Sequence, residues 1–332
     1  MKALLSHEIG GPDTLRVEEI ADPQPGPGQV RIAVRACGVN YPDSLIIEDK
    51  YQFKPQRPFS PGGEVAGLVD ALGEGVAGFA IGDRVIGSNP FGGMAEKLVV
   101  SAQRCMKIPE TMPFIEAAAF LMTYGTSFHA LKDRAAIQSG ETLLVLGASG
   151  GVGLAAVELG VAFGANVVGA ASSQAKLDVA LARGASSGFV YPTGPFDAAG
   201  AKALSQLFKD HLPHGIDVTY DPVGGAYSEA ALRSMRWNGR HLVVGFAAGL
   251  PRIPLNLPLL KSCQIVGVFW GGFLKEQPER SRSNNAALLA LYEEGRIRPA
   301  ISDTFSLDEA GTAIARLASR QAVGKLVITV QD

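Results

Sequence analysis

The sequence lacks most of the features that mark secreted, membrane-spanning or nucleic-acid-binding proteins. Its 332 residues include only three cysteines, Cys37, Cys105 and Cys263, which are widely spaced and form no CxxC pair. This distribution excludes a disulfide framework or a thiolate zinc site and favours a reducing compartment. The first residues, MKALLSHEIG, have no long apolar core of the kind found in signal peptides, so we expect a cytoplasmic protein.

Two further absences narrow the class of protein. No run of about 18 or more uncharged apolar residues is present, which argues against a membrane-spanning helix. The formal net charge is only −2, so neither nucleic acid nor an anionic membrane is indicated as a partner. Glycine, in contrast, is abundant at 40 residues, which indicates tight turns and close approaches of the backbone to a ligand.

The pattern of apolar residues predicts an α/β protein of two domains. Short β-branched runs separated by turns fill the first third of the chain and predict a compact antiparallel sheet or barrel. Residues 115–133 have the apolar content of a helix, and from residue 141 strands alternate with helices, as in a parallel sheet covered on both faces. The last apolar run, 324–330, is expected to return to the N-terminal sheet. The predicted domains are a β-rich one from residues 1–121 and 263–332 and a doubly wound parallel-sheet (Rossmann) one from 122–262.

The strongest single motif is the glycine-rich turn GASGGVG, which joins a buried strand to a helix. On the dinucleotide-binding fingerprint, Ala148, Gly150 and Gly153 take the three glycine positions. Such a turn lets the backbone approach a pyrophosphate, and the helix N-terminus offers free N–H groups. A tight turn without a ligand is the alternative. The predicted cradle comprises Ala148, Ser149, Gly150, Gly151, Val152 and Gly153.

The tip of the second strand of this domain predicts the cofactor. An acidic residue about 20 positions after the glycines would bind the ribose 2′-hydroxyl of NAD, but no acid precedes Asp178. Ser172, Ser173 and Lys176 are instead suited to a 2′-phosphate, which predicts NADPH rather than NADH. The same serines can cap the following helix, and Lys176 can also be read as a solvated surface residue.

Six motifs, taken in order, carry a resemblance to a known family. They are VNYPDSLI (39–46), PGGEVAG (61–67), GDRVIG (82–87), GGMAEKLVV (92–100), GASGGVG (147–153) and DPVGG (221–225). The chain resembles the medium-chain dehydrogenase/reductase superfamily over essentially its whole length, and most closely the zinc-free NADPH:quinone oxidoreductase branch that includes zeta-crystallin. This resemblance implies a GroES-like catalytic domain, built from both chain ends, around a Rossmann cofactor domain.

The resemblance also implies that zinc is absent. Where the zinc enzymes of the superfamily carry a histidine ligand, this sequence has Gly63, and where they carry a cysteine ligand it has Asn40. We expect Gly63 to leave space close to Asn40. Glu64, with no metal to serve, is expected to pair with a cation or with backbone donors. His211 and His214 are predicted to lie in a loop with a structural or solvated role, and no metal site is expected.

Further site residues follow from the resemblance. Asn40 is implied to reach the nicotinamide ribose or the substrate, and Thr123 to lie near the nicotinamide. Tyr41 and Tyr51 are candidate substrate-facing phenols, with packing in the β-rich domain as the alternative. Four more residues are expected at the cofactor: Tyr191 and Arg320 at the 2′-phosphate with Lys176, and Phe246 and Phe269 in loops that follow strand ends.

The function expected from these features is hydride transfer to an electron-poor acceptor. Without a Lewis acid, simple alcohols and carbonyls are poor substrates. An NADPH-dependent quinone reductase is therefore the leading hypothesis. An enoyl or acrylate-type C=C reductase is the alternative, for which Lys50, Lys54 and Arg57 could form a basic entrance. A non-catalytic crystallin-like or RNA-binding role is the third hypothesis, which the intact cradle and the near-neutral charge disfavour. The resemblance also implies that the apolar run 264–270 pairs across a twofold axis in a homodimer, which would cover an exposed strand edge.

Overall fold

The computed structural model describes residues 1–331, which form two compact units. The first unit comprises Met1–Met122 and the C-terminal segment from Pro299, and the second comprises Thr123–Arg298. Residues 263–298 therefore belong with the second unit, whereas the sequence analysis assigned them to the first. The physical reason is that a strand at Gln264–Gly267 adds to the parallel sheet of the second unit.

The strands, in chain order, are β1 (Lys2–Leu5), β2 (Arg16–Glu19), β3 (Gln29–Val39), β4 (Glu64–Leu72), β5 (Arg84–Ser88), β6 (Lys97–Ser101), β7 (Cys105–Lys107), β8 (Thr142–Leu146), β9 (Asn166–Ala171), β10 (Ser187–Val190), β11 (Ile216–Asp221), β12 (Met235–Val243), β13 (Gln264–Gly267), β14 (Ile301–Ser306) and β15 (Lys325–Thr329).

The α-helices are α1 (Tyr41–Ile46), α2 (Phe114–Ala117), α3 (Thr126–Phe128), α4 (Gly151–Ala162), α5 (Gln174–Ala182), α6 (Ala198–His211), α7 (Gly225–Arg233), α8 (Asn256–Lys261), α9 (Trp270–Glu276), α10 (Pro278–Glu293) and α11 (Ala310–Ala318). Single 3-10 turns lie at Pro12–Thr14, Ala102–Arg104 and Leu307–Glu309, and π-helical segments at Leu121–Gly125 and His129–Arg134. No described helix is long and apolar enough to cross a membrane.

The first unit is built on the long strand β3. Its sheet has the order β14-β15-β3-β4-β5-β7, and β6 pairs with β3 as well. Alternate residues are buried from Gln29 to Arg35, since their apolar side chains face the core, and the last four residues of β3 are all buried. Strand β15 runs antiparallel to β3, with Val327 opposite Gly38, which confirms the predicted return of the chain end to the N-terminal sheet.

The second unit is a parallel sheet of order β10-β9-β8-β11-β12-β13. Every neighbouring pair in it is parallel, as predicted for a Rossmann domain. The strand order reverses between β8 and β11, and in such sheets ligands bind at the carboxyl ends of the strands beside this reversal. The turn at 147–150, which follows β8, is therefore the expected binding position.

The segment predicted as one helix at 115–133 is helical but interrupted. Helix α2 ends at Ala117, and two π-helical segments flank the short helix α3. Thr123 lies in the first π-helical segment and is buried. Single π turns inside helices are frequent at functional sites.

Candidate active site

The glycine-rich turn of the second unit forms an open cradle at the start of α4. Gly147 follows β8 with φ +59°, and Gly150 is the N-cap residue of the helix. A Cβ added to Gly150 would meet only the Gly147 carbonyl oxygen, at 3.5 Å, whereas one added to Gly153 would lie 2.2 Å from that oxygen. Gly153 thus allows the helix to pack on the turn, and Gly150 leaves open space above it. The first-turn N–H groups of α4 face that space without helical acceptors, which suits an anionic pyrophosphate.

The tip of β9 carries the residues predicted for a 2′-phosphate. Ser173 is the N-cap residue of α5, and its hydroxyl accepts the Lys176 N–H at 3.4 Å, so the capping role is confirmed. Ser172 and Lys176 are partly exposed. Asp178, the first acid after the tip, is exposed and accepts a hydrogen bond from the Gln174 side chain at 2.7 Å. The described residues 166–177 contain no carboxylate, and the donor set of Ser172, Ser173 and Lys176 fits NADP.

A buried carboxylate orders the turn after β11. Asp221 accepts the N–H groups of Val223 and Gly224 at 2.9 and 2.8 Å, and its second oxygen lies 3.2 Å from His241 Nε2. Burial acts to raise the pKa of Asp221, but His241, Ser228 and the Gly224 N–H together hold that pKa below its ordinary value. These bonds fix the turn. The fixed turn supports the loop that follows β12, because the Ala248 N–H of that loop donates a hydrogen bond of 2.6 Å to the Val223 carbonyl oxygen.

The two aromatic residues expected beside the nicotinamide are both exposed. Phe246 follows β12 and is 45 % exposed, and Phe269 follows β13 and is 57 % exposed. Both lie after the carboxyl ends of their strands, where ligands of such sheets bind. Tyr191, by contrast, is buried, and its ring packs tilted against that of Tyr227 at 4.8 Å, so its ring has a packing role.

The first unit contains a buried charged network around Asn40. Asn40 is the N-cap residue of α1, and its Oδ1 accepts a hydrogen bond of 2.6 Å from Lys325 Nζ. Its Nδ2 donates to the Gly38 carbonyl at 3.2 Å and to Glu64 Oε2 at 3.4 Å. Glu64 Oε1 accepts the Met122 N–H at 2.9 Å. Asn40 is thus engaged inside its own unit, which the sequence analysis did not anticipate.

Burial shifts the pKa values of this network. Burial raises the pKa of Glu64, with Lys325 and the Met122 N–H acting in the opposite direction. Burial lowers the pKa of Lys325, opposed by the nearby Glu64 and Asp43. Asp43 accepts the N–H groups of Asn40 and Gly62, at 2.7 and 3.1 Å, yet its burial raises its pKa to about 6. Each carboxylate in this interior depends on a nearby donor or cation for its charge.

Glu64 has both types of partner that the sequence analysis predicted, a cation and backbone donors. Its nearest cation is Lys325, 3.9 Å away, and its backbone donors are Met122, at 2.9 Å, and Leu121. Lys325 was missed as a site residue, although it is the one charged residue of the predicted final strand, GKLVITV (324–330). A lysine at the start of a strand expected in the central sheet is the signal that could have found it.

Gly63 does not leave the open space that was expected. A Cβ there would lie 3.2 Å from the Asn89 carbonyl oxygen and 3.4 Å from Met122 Cε. Cys37 is buried as predicted, and burial raises the pKa of its thiol well above the ordinary value. Within residues 1–331 no group of three or more His, Cys, Asp or Glu side chains is arranged to hold a metal. The donors at Asn40 and Gly63 do not fit zinc, which needs three protein ligands.

The remaining predicted residues are dispersed. Tyr41 is 39 % exposed, and Tyr51 is half-buried against the core of the first unit, with its ring 5.8 Å from that of Phe53. Arg320 is an exposed residue of the first unit with φ +61°.

The histidine pair is only partly in a loop. His211 is the last residue of α6, where its ring stacks on Phe189 at 4.8 Å, and His214 lies beyond the helix on the surface. The loop prediction was therefore wrong for His211, because α6 runs to the end of its amphipathic pattern. The stacking gives His211 a packing role.

A Rossmann unit with an open phosphate cradle and a β-rich unit with a buried ionic site define a two-domain dehydrogenase. Two family models match: the alcohol dehydrogenase GroES-like domain over residues 26–110 and the zinc-binding dehydrogenase over residues 151–287. The chain belongs to the medium-chain dehydrogenase/reductase superfamily and, within it, to the quinone oxidoreductase branch, as the sequence motifs predicted. It is an oxidoreductase.

Three similar proteins illustrate the relationship. A quinone oxidoreductase-like protein 2 homologue from Nematostella vectensis is 37 % identical over 335 residues, covering 100 % of this chain and 89 % of its own length. Quinone oxidoreductase from Homo sapiens is 32 % identical, covering 99 % and 97 %. A mycobacterial protein solved in complex with NADPH superposes with a TM-score of 0.90 at 28 % identity, covering 99 % of this chain and 100 % of that one.

Proposed function

We propose that this protein is a zinc-independent, NADPH-dependent reductase that transfers hydride to a quinone. The observation that carries the proposal is the buried network of Asn40, Lys325 and Glu64 at the position where the zinc enzymes of the superfamily bind their metal. Without a Lewis acid at that position, the acceptor must itself be electron-poor. The names of the relatives, which are quinone oxidoreductases, favour a quinone within that class.

The residues of the second unit supply the cofactor site in this proposal. The backbone N–H groups from Ser149 to Gly153 and the positive end of α4 would hold the pyrophosphate. Ser172, Ser173 and Lys176 would hold the 2′-phosphate, helped by the absence of a carboxylate at the tip of β9. Bound NADPH supplies the hydride. The chain binds and orients it through these groups, with Phe246 and Phe269 as apolar surface on the nicotinamide side.

The C=C reductase alternative is less well supported for large anionic thioesters. The basic entrance that it requires is partly neutralised, because Lys50 pairs with Glu48, and Arg57 binds Asp49 at 2.8 Å and the Ile47 carbonyl at 2.9 Å. Small enals and enones remain compatible with the proposed cofactor site. We further propose a cytoplasmic homodimer, in keeping with three free cysteines and the open edge of β13.

The function is tested by NADPH oxidation with a panel of quinones, enals and acrylyl thioesters, each assayed with and without EDTA. We expect the quinones to be reduced fastest, with rates unchanged by the chelator. Faster turnover of enals or thioesters would instead favour the C=C reductase. Rates that collapse with EDTA and return with zinc would contradict the metal-free proposal, and failure to bind NADPH in calorimetry would contradict the enzyme function.

The cofactor preference is tested by Lys176→Ala. A charge-assisted hydrogen bond to phosphate contributes about 1.5–3 kcal/mol, so KM for NADPH should rise roughly 10- to 100-fold while KM for NADH stays the same. Lys209→Ala is the matched control, because Lys209 lies in the last turn of α6, away from the carboxyl ends of the strands. An unchanged NADPH:NADH ratio in Lys176→Ala would show that the 2′-phosphate is bound elsewhere.

A further inference from the structure

Lys325 is a buried cation that donates two hydrogen bonds and forms one ion pair. Its side chain is 5 % exposed, and Nζ donates to Asn40 Oδ1 at 2.6 Å and to the Val39 carbonyl at 2.9 Å. Glu64 Oε2 lies 3.9 Å away. An ammonium group is a strong donor with no acceptor capacity, so these three oxygens define its surroundings. Lys325 comes from the C-terminal strand β15, while its partners come from the N-terminal segment.

This arrangement fixes the side-chain amide of Asn40 in one orientation. The ammonium of Lys325 can only donate, so it must face Oδ1, and the carboxylate of Glu64 can only accept, so it must face Nδ2. Turning the amide over would set two donors against each other on one side and two acceptors on the other. The chemistry of the two ions therefore determines which end of Asn40 faces each way.

Glu64, the anionic member of the ion pair, also binds the backbone next to Thr123, a second candidate residue. Glu64 Oε1 accepts the N–H of Met122 at 2.9 Å, and Met122 directly precedes Thr123 in the chain. Glu64 is 1 % exposed, so an ionised carboxylate there depends on a compensating cation. Besides Lys325 and Glu64, the titratable groups of the network are Asp43 and Cys37, which are themselves anionic or neutral. Lys325 is thus the single cation of this network.

We propose that Lys325 is a positioning residue for hydride transfer, which fixes the amide of Asn40 and, through Glu64, the Met122–Thr123 backbone. The inference rests on the proposed function, because Asn40 and Thr123 matter to catalysis only if they serve the cofactor or the acceptor. Lys325 touches neither in this scheme and acts through its partners.

The test is a double-mutant cycle of Lys325→Met and Glu64→Gln, with stability, kcat and NADPH affinity measured for each variant. Lys325→Met leaves Glu64 uncompensated, so both stability and kcat should fall, with kcat decreasing about 10- to 100-fold from loss of orientation. The double variant removes both charges, so its Tm should recover while kcat stays at least about tenfold below wild type. The Kd for NADPH, set by the cradle of the second unit, should change by less than about threefold.

Two results would overturn the proposal. One is a double variant that recovers kcat together with Tm, since that is the behaviour of a purely structural ion pair. The other is a Lys325→Met protein with kcat within about twofold of wild type. If Lys325→Met does not fold, the double variant alone decides the question. Lys107→Met is the matched control, because Lys107 forms a partly exposed ion pair with Asp83 in the same unit, and it should leave kcat unchanged.

The acceptor in these assays is whichever compound of the panel the wild-type protein reduces fastest. A wild-type protein that does not reduce quinones but reduces enals would overturn the proposed substrate and leave the positioning test intact. A wild type that reduces quinones while the cycle shows no separate loss of kcat would overturn the positioning role and leave the proposed function intact.

Discussion

At the scale of single residues, two glycines of the cradle should have separable roles. A methyl group at Gly153 would lie 2.2 Å from the Gly147 carbonyl oxygen, so backbone would have to move. A methyl group at Gly150 would make only an ordinary 3.5 Å contact and would project into the open space. We expect Gly153→Ala to lower the free energy of unfolding by about 1–3 kcal/mol through overpacking, and Gly150→Ala to lower it by less than about 0.5 kcal/mol.

The same pair should differ in cofactor binding. Gly150→Ala should weaken NADPH binding at least about tenfold, because the methyl group occupies space that the pyrophosphate needs. Chemical denaturation and calorimetry measure the two effects separately. A Gly150→Ala protein that binds NADPH as tightly as wild type would mean that the pyrophosphate does not lie over this turn.

Residue roles were predictable from sequence where they depend on local chemistry. The glycine turn, the capping Ser173 and the buried Cys37 follow from neighbouring residues, and the structure contains each of them. For Glu64, the sequence predicted the type of partner, a cation or backbone donors, but not which residues supply it. The sequence predicted that the chain end returns to the N-terminal sheet, but identifying Lys325 also requires the register of β15 on β3, which cannot be read from either segment alone.

At the scale of secondary structure, periodic apolar patterns predicted strands and helices correctly, but they did not predict interruptions within a helix. The strands β8, β9 and β11 alternate with the helices α4 to α6 after residue 141, as predicted. The helix predicted at 115–133 was wrong in detail, because its backbone changes twice to π geometry although its composition is uniformly helical. Apolar content alone does not report such a change in hydrogen-bond spacing.

Edge elements were the least predictable. Strand β14 was missed, because its sequence, ISDTFS, has only two apolar residues, Ile301 and Phe305, although its burial alternates as in a strand. Residues 263–298, which include β13, were assigned to the wrong unit, because a short strand carries no signal about which sheet it joins. Residues 264–267 add to the parallel sheet through pairing with β12, and 270–276 then form α9.

At the scale of the whole molecule, β13 leaves one sheet edge open in the described chain. Its only pairing is with β12, and Ile265 is 41 % exposed. The Val268 N–H bonds to the Val243 carbonyl of β12, so by alternation the N–H groups of Ile265 and Gly267 point to the free side. Open strand edges tend to pair with another chain, and exposed leucines such as Leu255 and Leu259 add apolar surface in the same unit.

If the proposed homodimer forms by pairing of two β13 edges, removal of one outward donor should weaken it. Ile265→Pro deletes the outward N–H without touching the bonds to β12, since proline has no amide proton. We expect sedimentation velocity to show a dimer for wild type and mostly monomer for Ile265→Pro at the same concentration. Ile265→Thr is the matched control, because it keeps both the N–H and a β-branched side chain and should remain dimeric. A dimer that persists in Ile265→Pro with unchanged affinity would mean that the subunits associate through a different surface, and the edge of β13 would then need another explanation for its exposed apolar residues.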